Sequence, residues 1–130
     1  MHNTYMSAKI LVIDDEAEVR DALRIALADA GFSVIEAMDG GTGLEAAFRD
    51  KPDLILLDIG MPLVSGHKVL DELRRDPWGK KVPVILLTNA DDATNITHAV
   101  GRGSGDYLIK SQMSLKDIAT RVKQHLAGYH

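Results

Sequence analysis

The chain has 130 residues, 45% hydrophobic and 26% charged, with a formal net charge of −4 and no cysteine; that size suits one compact domain, and disulfide and thiol chemistry are excluded. The basic residues fall in short pairs, Arg74-Arg75 and Lys80-Lys81, which read as solvated side chains and not as a nucleic-acid surface. Residues 1–7 lack the apolar core of a signal peptide and no apolar stretch approaches the ~20 residues that span a bilayer, so the chain reads as a soluble, cytoplasmic domain with no membrane partner.

Short apolar runs alternate with segments of helical period, the pattern of βα units around a mostly parallel sheet. The first run, Ile10-Leu11-Val12-Ile13, ends on Asp14-Asp15. A helical stripe of Val19, Ala22, Leu23, Ala26, Leu27 and Ala30 follows and is stopped by Gly31. Ser33-Val34-Ile35-Glu36-Ala37 is short and mixed, as suits an edge strand. A small helix then carries Leu44, Ala47 and Phe48 inward, and Pro52 closes the turn before Leu54-Ile55-Leu56-Leu57, which ends on Asp58. Residues 66–73 read as a third helix with Val69, Leu70 and Leu73 apolar. Residues 75–81 read as a loop in which Trp78 is partly buried. Val84-Ile85-Leu86-Leu87 ends on Thr88.

Residues 92–100 form the weakest expected helix, with few apolar anchors and a run into Gly101, Gly103 and Gly105; low intrinsic stability is expected there. Tyr107-Leu108-Ile109 ends on Lys110, and Leu115, Ile118, Ala119, Val122 and Leu126 mark the last and clearest helix. Neither linker nor repeat interrupts the pattern. The expected organisation is one domain over residues 8–127 with tails at 1–7 and 128–130, standing alone without an output domain.

If the four strongest runs are parallel strands, their carboxyl ends share one sheet edge, where open α/β folds place ligands. Asp14, Asp15, Asp58, Thr88 and Lys110 would then meet in one shallow pocket. Taken singly, the two aspartates could merely cap a helix, Thr88 could be an ordinary strand-end threonine, and Lys110 could be a solvated lysine. Taken together they make a carboxylate cluster, in which each pair repels by ~4 kcal/mol at 4 Å and an effective dielectric near 20. Such a cluster holds protons or binds a cation. Oxygen donors completed by water suit Mg²⁺, and the histidines show no ligand spacing for a softer metal.

These residues carry a resemblance to the receiver domain of two-component response regulators. It covers nearly everything over residues 9–126 and rests on Asp14-Asp15-Glu16, Asp58-Ile59-Gly60-Met61-Pro62-Leu63-Val64-Ser65-Gly66, Leu87-Thr88 and Gly103-Ser104-Gly105-Asp106-Tyr107-Leu108-Ile109-Lys110, each at its proper strand end. The resemblance implies a flavodoxin-like, doubly wound, five-stranded parallel sheet of order 2-1-3-4-5 with helices on both faces. It implies Asp58 as phosphoacceptor, and Mg²⁺ held by Asp15 and Asp58, by Asp14 through water, and by the carbonyl of Gly60. Lys110 would contact the phosphoryl group, and Thr88 and Tyr107 would form the switch. The implied partners are a sensor histidine kinase or phosphotransfer protein and a downstream protein target, with no nucleic acid, the chain being a monomer or a phosphorylation-dependent dimer. It would catalyse only its own phosphorylation and dephosphorylation.

Two positions depart from the family. Asn89 follows Thr88 where a small residue is usual, and Ser111 follows Lys110 where proline is usual. A cis bond before serine costs about 2.5–4 kcal/mol, so a trans bond is expected there, with Ser111 available to cap the last helix. Rival readings are a Mg²⁺-dependent phosphatase with an aspartyl nucleophile, a flavin carrier, and a receiver-like module that binds without phosphorylation. The phosphatase wants an acid two residues beyond its nucleophile, where this chain has Gly60. The flavin carrier wants a phosphate loop, where this chain has Asp14-Asp15-Glu16.

Overall fold

The structure, a computed structural model, describes residues 8–89, 106–112 and 114–127. Its strands are β1 (Lys9–Ile13), β2 (Ser33–Ala37), β3 (Leu54–Asp58), β4 (Val84–Thr88) and β5 (Asp106–Ile109), and its helices are α1 (Ala17–Asp29), α2 (Gly40–Asp50), α3 (Gly66–Arg75) and α4 (Leu115–Leu126). A 3₁₀ turn over Lys110–Gln112 joins β5 to the approach of α4. The five strands are parallel in order β2-β1-β3-β4-β5, as expected. The helix expected over residues 92–100, its glycine-rich exit and both expected tails lie outside the described residues.

The central strands are apolar at nearly every position because helices cover both faces of the sheet. Side chains alternate between those faces. Leu11, Ile13, Ile55, Leu57, Val84 and Leu86 pack with Ala46, Ala47, Val69, Leu70 and Leu73 of α2 and α3. Ile10, Val12, Leu54, Leu56, Ile85 and Leu87 pack with Leu23, Leu27, Ile118 and Val122 of α1 and α4. Gly31 has φ 99° just after α1, a left-handed position that ends the helix as its sequence position suggests. Trp78 is half-buried against the first of these cores, as expected.

Several side chains depart from the expected pattern. Phe48 faces outward, 38% exposed, and meets Trp78 edge-on at a centroid separation of 6.1 Å; the small Ala46 and Ala47 take the inward positions because α2 lies close to the sheet. Arg74 is not solvated like its neighbour, since its guanidinium donates to the carbonyls of Gly79 at 2.5 Å and Val82 at 2.9 Å and so fastens the loop before β4. Ser111 lies exposed in the 3₁₀ turn and does not cap α4. Ser114 does, accepting from the amide of Asp117 while Asp117 accepts from the amide of Ser114, a reciprocal capping box. The Lys110–Ser111 bond is trans. Leu115, at the start of the expected stripe, is 43% exposed.

The seam between β5 and α4 also carries a polar cluster that periodicity does not announce. Asp106 accepts from Arg121 at 2.6 Å and lies 3.0 Å from Nε2 of the buried His125. Burial works to raise the Asp106 pKa, but its bonds to Arg121, His125 and the Tyr107 amide outweigh it and hold the carboxyl below its ordinary range.

Gly66 at the start of α3 permits the closest approach to the end of β3. A Cβ there would stand 2.5 Å from the Asp58 carbonyl oxygen and 2.5 Å from Ile59 Cα. A Gly66→Ala variant is therefore expected to lose about 1–3 kcal/mol in urea denaturation. Gly41→Ala, whose Cβ would meet nothing nearer than an Asp39 oxygen at 3.5 Å, is expected to keep or slightly raise stability.

Candidate functional site: a carboxylate cluster closed by one lysine

Parallel pairing brings the carboxyl ends of β1, β3, β4 and β5 to one edge, and the expected residues gather there. One carboxylate oxygen from each of Asp14, Asp15, Glu16 and Asp58 lies within 4.8 Å of the others. Asp14 and Asp58 are buried, whereas Asp15 and Glu16 are exposed. Lys110 reaches in from the end of β5, its Nζ lying 2.6 Å from Asp14, 3.1 Å from Glu16 and 3.2 Å from Asp58. The sequence assigns Glu16 no separate role beyond following two other acids; in the structure it is the N-cap residue of α1 and belongs to the cluster.

Backbone groups fix the two buried acids. Asp14 Oδ1 accepts from the Glu16 amide at 2.9 Å, and the Asp14 carbonyl accepts from Arg20 of α1 at 2.7 Å. Arg20 lies 3.8 Å from Glu36 of β2, which ties the turn after β1 to the sheet edge. Asp58 Oδ1 accepts from the Gly60 amide at 2.9 Å. Thr88 is fully buried, beside Asp58 on the next strand, and its hydroxyl donates to the carbonyl of Asn89 at 3.1 Å, away from the cluster. Tyr107 stands on β5 opposite Leu86 and is 41% exposed.

Among the described residues the charges are unbalanced, with four carboxylates around one ammonium. Burial is the largest influence on Asp58. It works with the nearby charge of Asp14 to push the carboxyl up to about 6, against the opposing pull of the Gly60 amide and of Lys110. Burial works against a charged Lys110 too, but hydrogen bonding to Asp14 and the charges of Asp58 and Asp14 more than offset it, so its ammonium stays protonated well beyond the ordinary lysine range. A cluster of hard oxygen donors with surplus negative charge fits a hard divalent cation such as Mg²⁺.

Strand order and the carboxylate–lysine edge together define a doubly wound α/β domain of the flavodoxin-like fold. The family model described as response regulator receiver domain matches residues 10–123. A probable transcriptional regulator, ycf27 of Porphyridium aerugineum, is 38% identical over 118 residues, which is 91% of this chain and 48% of that protein. Response regulator PleD of Caulobacter vibrioides is 43% identical over 106 residues, 81% of this chain and 23% of that protein. The chain thus spans about half or less of these curated relatives. Among solved structures, a putative response regulator from Chloroflexus aurantiacus superposes with a TM-score of 0.86 at 28% identity, covering 92% of this chain and 98% of that one. Chemotaxis protein CheY4 of Vibrio cholerae gives 0.83 at 26% identity, covering 90% and 97%. The chain belongs to the response regulator receiver domains of two-component signalling. No helix among the described residues is long and apolar enough to cross a membrane.

The raised Asp58 carboxyl has a measurable consequence in metal-free protein. Because its native pKa, about 6, exceeds the ordinary 3.8, the folded state binds the proton more tightly than the unfolded chain. The resulting stabilisation is complete below about pH 4 and lost as pH rises through about 6. Two pKa units correspond to about 3 kcal/mol. In chelator, Asp58→Asn is therefore expected to be more stable than the unaltered protein at pH 7.5 by up to that amount. The gap should narrow towards pH 4.5, as read from urea midpoints.

Proposed function

We propose that this domain accepts a phosphoryl group on Asp58 from a phosphohistidine of a sensor kinase or phosphotransfer protein, in a Mg²⁺-dependent reaction, and passes the signal on as a change in its protein-binding surface. The observation that carries this reading is the ammonium of Lys110 set among Asp14, Glu16 and Asp58. Asp58 is the nucleophile. One of its oxygens attacks phosphorus, the N–P bond of the donor breaks, and the departing imidazole leaves as the neutral or protonated ring. The Gly60 amide holds the other oxygen at 2.9 Å and so orients the carboxylate. Lys110 offers a fixed positive charge to the arriving phosphoryl oxygens, a preorganised contribution of the kind that dominates phosphoryl transfer.

Asp14, Asp15 and Asp58, with the carbonyl of Gly60, are the groups that would hold Mg²⁺, and Glu16 lies beside them. The ion, when bound, supplies the positive charge that lets an anionic carboxylate approach an anionic phosphoryl group. Thr88 is the switch residue nearest Asp58. Its hydroxyl can exchange the Asn89 carbonyl for a phosphoryl oxygen, since phosphorylation adds strong acceptors. Tyr107, three residues before Lys110 on β5, is the surface member through which a downstream protein would sense that exchange. In this reading residues 8–127 form the working domain, cytoplasmic, and either monomeric or dimerising on phosphorylation. The phosphatase alternative is disfavoured by Gly60, which offers only backbone groups where a leaving-group acid is needed.

Acetyl phosphate with Mg²⁺ is expected to label the unaltered protein, and Asp58→Asn to abolish the labelling. Undiminished labelling of that variant, read by intact mass, would refute the assignment. A chelator should cut labelling at least tenfold.

A further inference from the structure

Leu63 is left without a task by the chemistry above. Its side chain is wholly exposed, at 102% of the reference area, and its backbone has φ 67°. Both features run against ordinary preference. An exposed leucine gains nothing from burial, and the left-handed region crowds the Cβ of any residue but glycine. Packing fixes the neighbours of Leu63 and leaves its own side chain outside. On one side of Leu63, Met61 is buried in the core. On the other, Val64 fills the space beside Gly40, where a Cβ would come within 2.6 Å of its Cγ1. The loop is thus fastened at both flanks, and Leu63 is turned outward between them. Backbone strain that persists in a folded protein concentrates where ligands are gripped.

Position selects the occupant. The loop runs from Asp58 to Ser65, the cap of α3, along the sheet edge where the carboxylates gather. Met38, 60% exposed, stands two residues before Gly40, the first residue of α2, against which Val64 lies. On the other side of the pocket Asp15, Glu16 and Glu18 are exposed and acidic. A small phosphodonor can reach Asp58 without meeting Leu63, whereas a protein that presents a phosphohistidine there must cover this edge. We infer that Leu63 is a contact residue for the phosphoryl-donating protein, held outward at the expense of backbone strain to meet an apolar patch beside the donor histidine. The inference rests on the phosphoacceptor reading of Asp58.

The test uses the full chain with Leu63→Gly and Leu63→Asn, both of which tolerate φ 67°, and Leu63→Met, which keeps an apolar side chain. Donors are acetyl phosphate and whichever autophosphorylated sensor kinase of the source organism labels the unaltered protein fastest. For Leu63→Gly and Leu63→Asn the urea midpoint should hold or rise, and labelling by acetyl phosphate should stay within twofold. Their kcat/KM for transfer from the kinase should fall at least fivefold, with Leu63→Met keeping most of it. Unchanged transfer from the kinase would overturn the inference, as would loss of labelling by both donors, which would make Leu63 part of the pocket itself. A concentration-dependent dimer abolished by Leu63→Gly would assign the patch to a second copy of the chain and also overturn it. If acetyl phosphate fails to label the unaltered protein, the phosphoacceptor reading falls first; if acetyl phosphate labels it and no kinase does, the donor-protein contact alone is refuted.

Discussion

Like charge held together against its own repulsion is the constraint on which this structure depends. Asp14 and Asp58 are buried at the ends of two adjacent central strands, and water cannot screen them well. The fold tolerates them because other groups oppose the repulsion. Lys110 supplies a full positive charge, backbone amides of Glu16 and Gly60 each donate to one acid, and Arg20 holds the main-chain carbonyl of Asp14. The opposition is incomplete, as the elevated Asp58 carboxyl shows. A site left under-compensated in this way is prepared to gain positive charge, and that is what distinguishes it from a structural ion-pair network.

The layers around the site serve to hold that edge in register. Each central strand sends alternate side chains into two separate cores, so the strand ends are fixed from both faces at once. Gly66 brings α3 against the backbone at the end of β3, and the bonds of Arg121 and His125 to Asp106 tie α4 to β5 at the opposite end from Lys110. An ammonium on a long, flexible stem can be held 2.6 Å from Asp14 and 3.2 Å from Asp58 because β5 itself is anchored.

Much of this was legible in the sequence where one physical rule acted alone. Strands buried on both faces must be apolar throughout, so β1, β3 and β4 announce themselves, and the polar residue that ends each run marks the pocket edge. The bounds of β2, the stop at Gly31 and the trans bond at Ser111 were readable for similar reasons. The misses arose where tertiary contact overrode a local rule. Phe48 looks like a core residue until α2 is seen to lie too close to the sheet for its ring. Arg74 looks solvated until two carbonyls of a distant turn claim it. His125 and Arg121 are one helical turn apart and meet Asp106 only through packing. Glu16 was visible as a third acid, but its place depended on how α1 begins, and the cap at Ser114 in preference to Ser111 depended on a 3₁₀ turn that no periodicity encodes.

The union of Lys110 with Glu16 spans 94 positions of sequence, and this has a bearing on how the chain comes to fold. A ribosome delivers Asp14, Asp15, Glu16 and Asp58 long before Lys110, the cation that answers them. Until β5 closes the sheet, β1 and β3 can pair only by bringing unanswered carboxylates together, or by keeping protons on them. Long-range closure is already the slow step in parallel sheets, and here it is also the electrostatic one. Strand β5 thus completes the charge of the pocket as well as its shape, and the site comes into being only once β5 has joined the sheet.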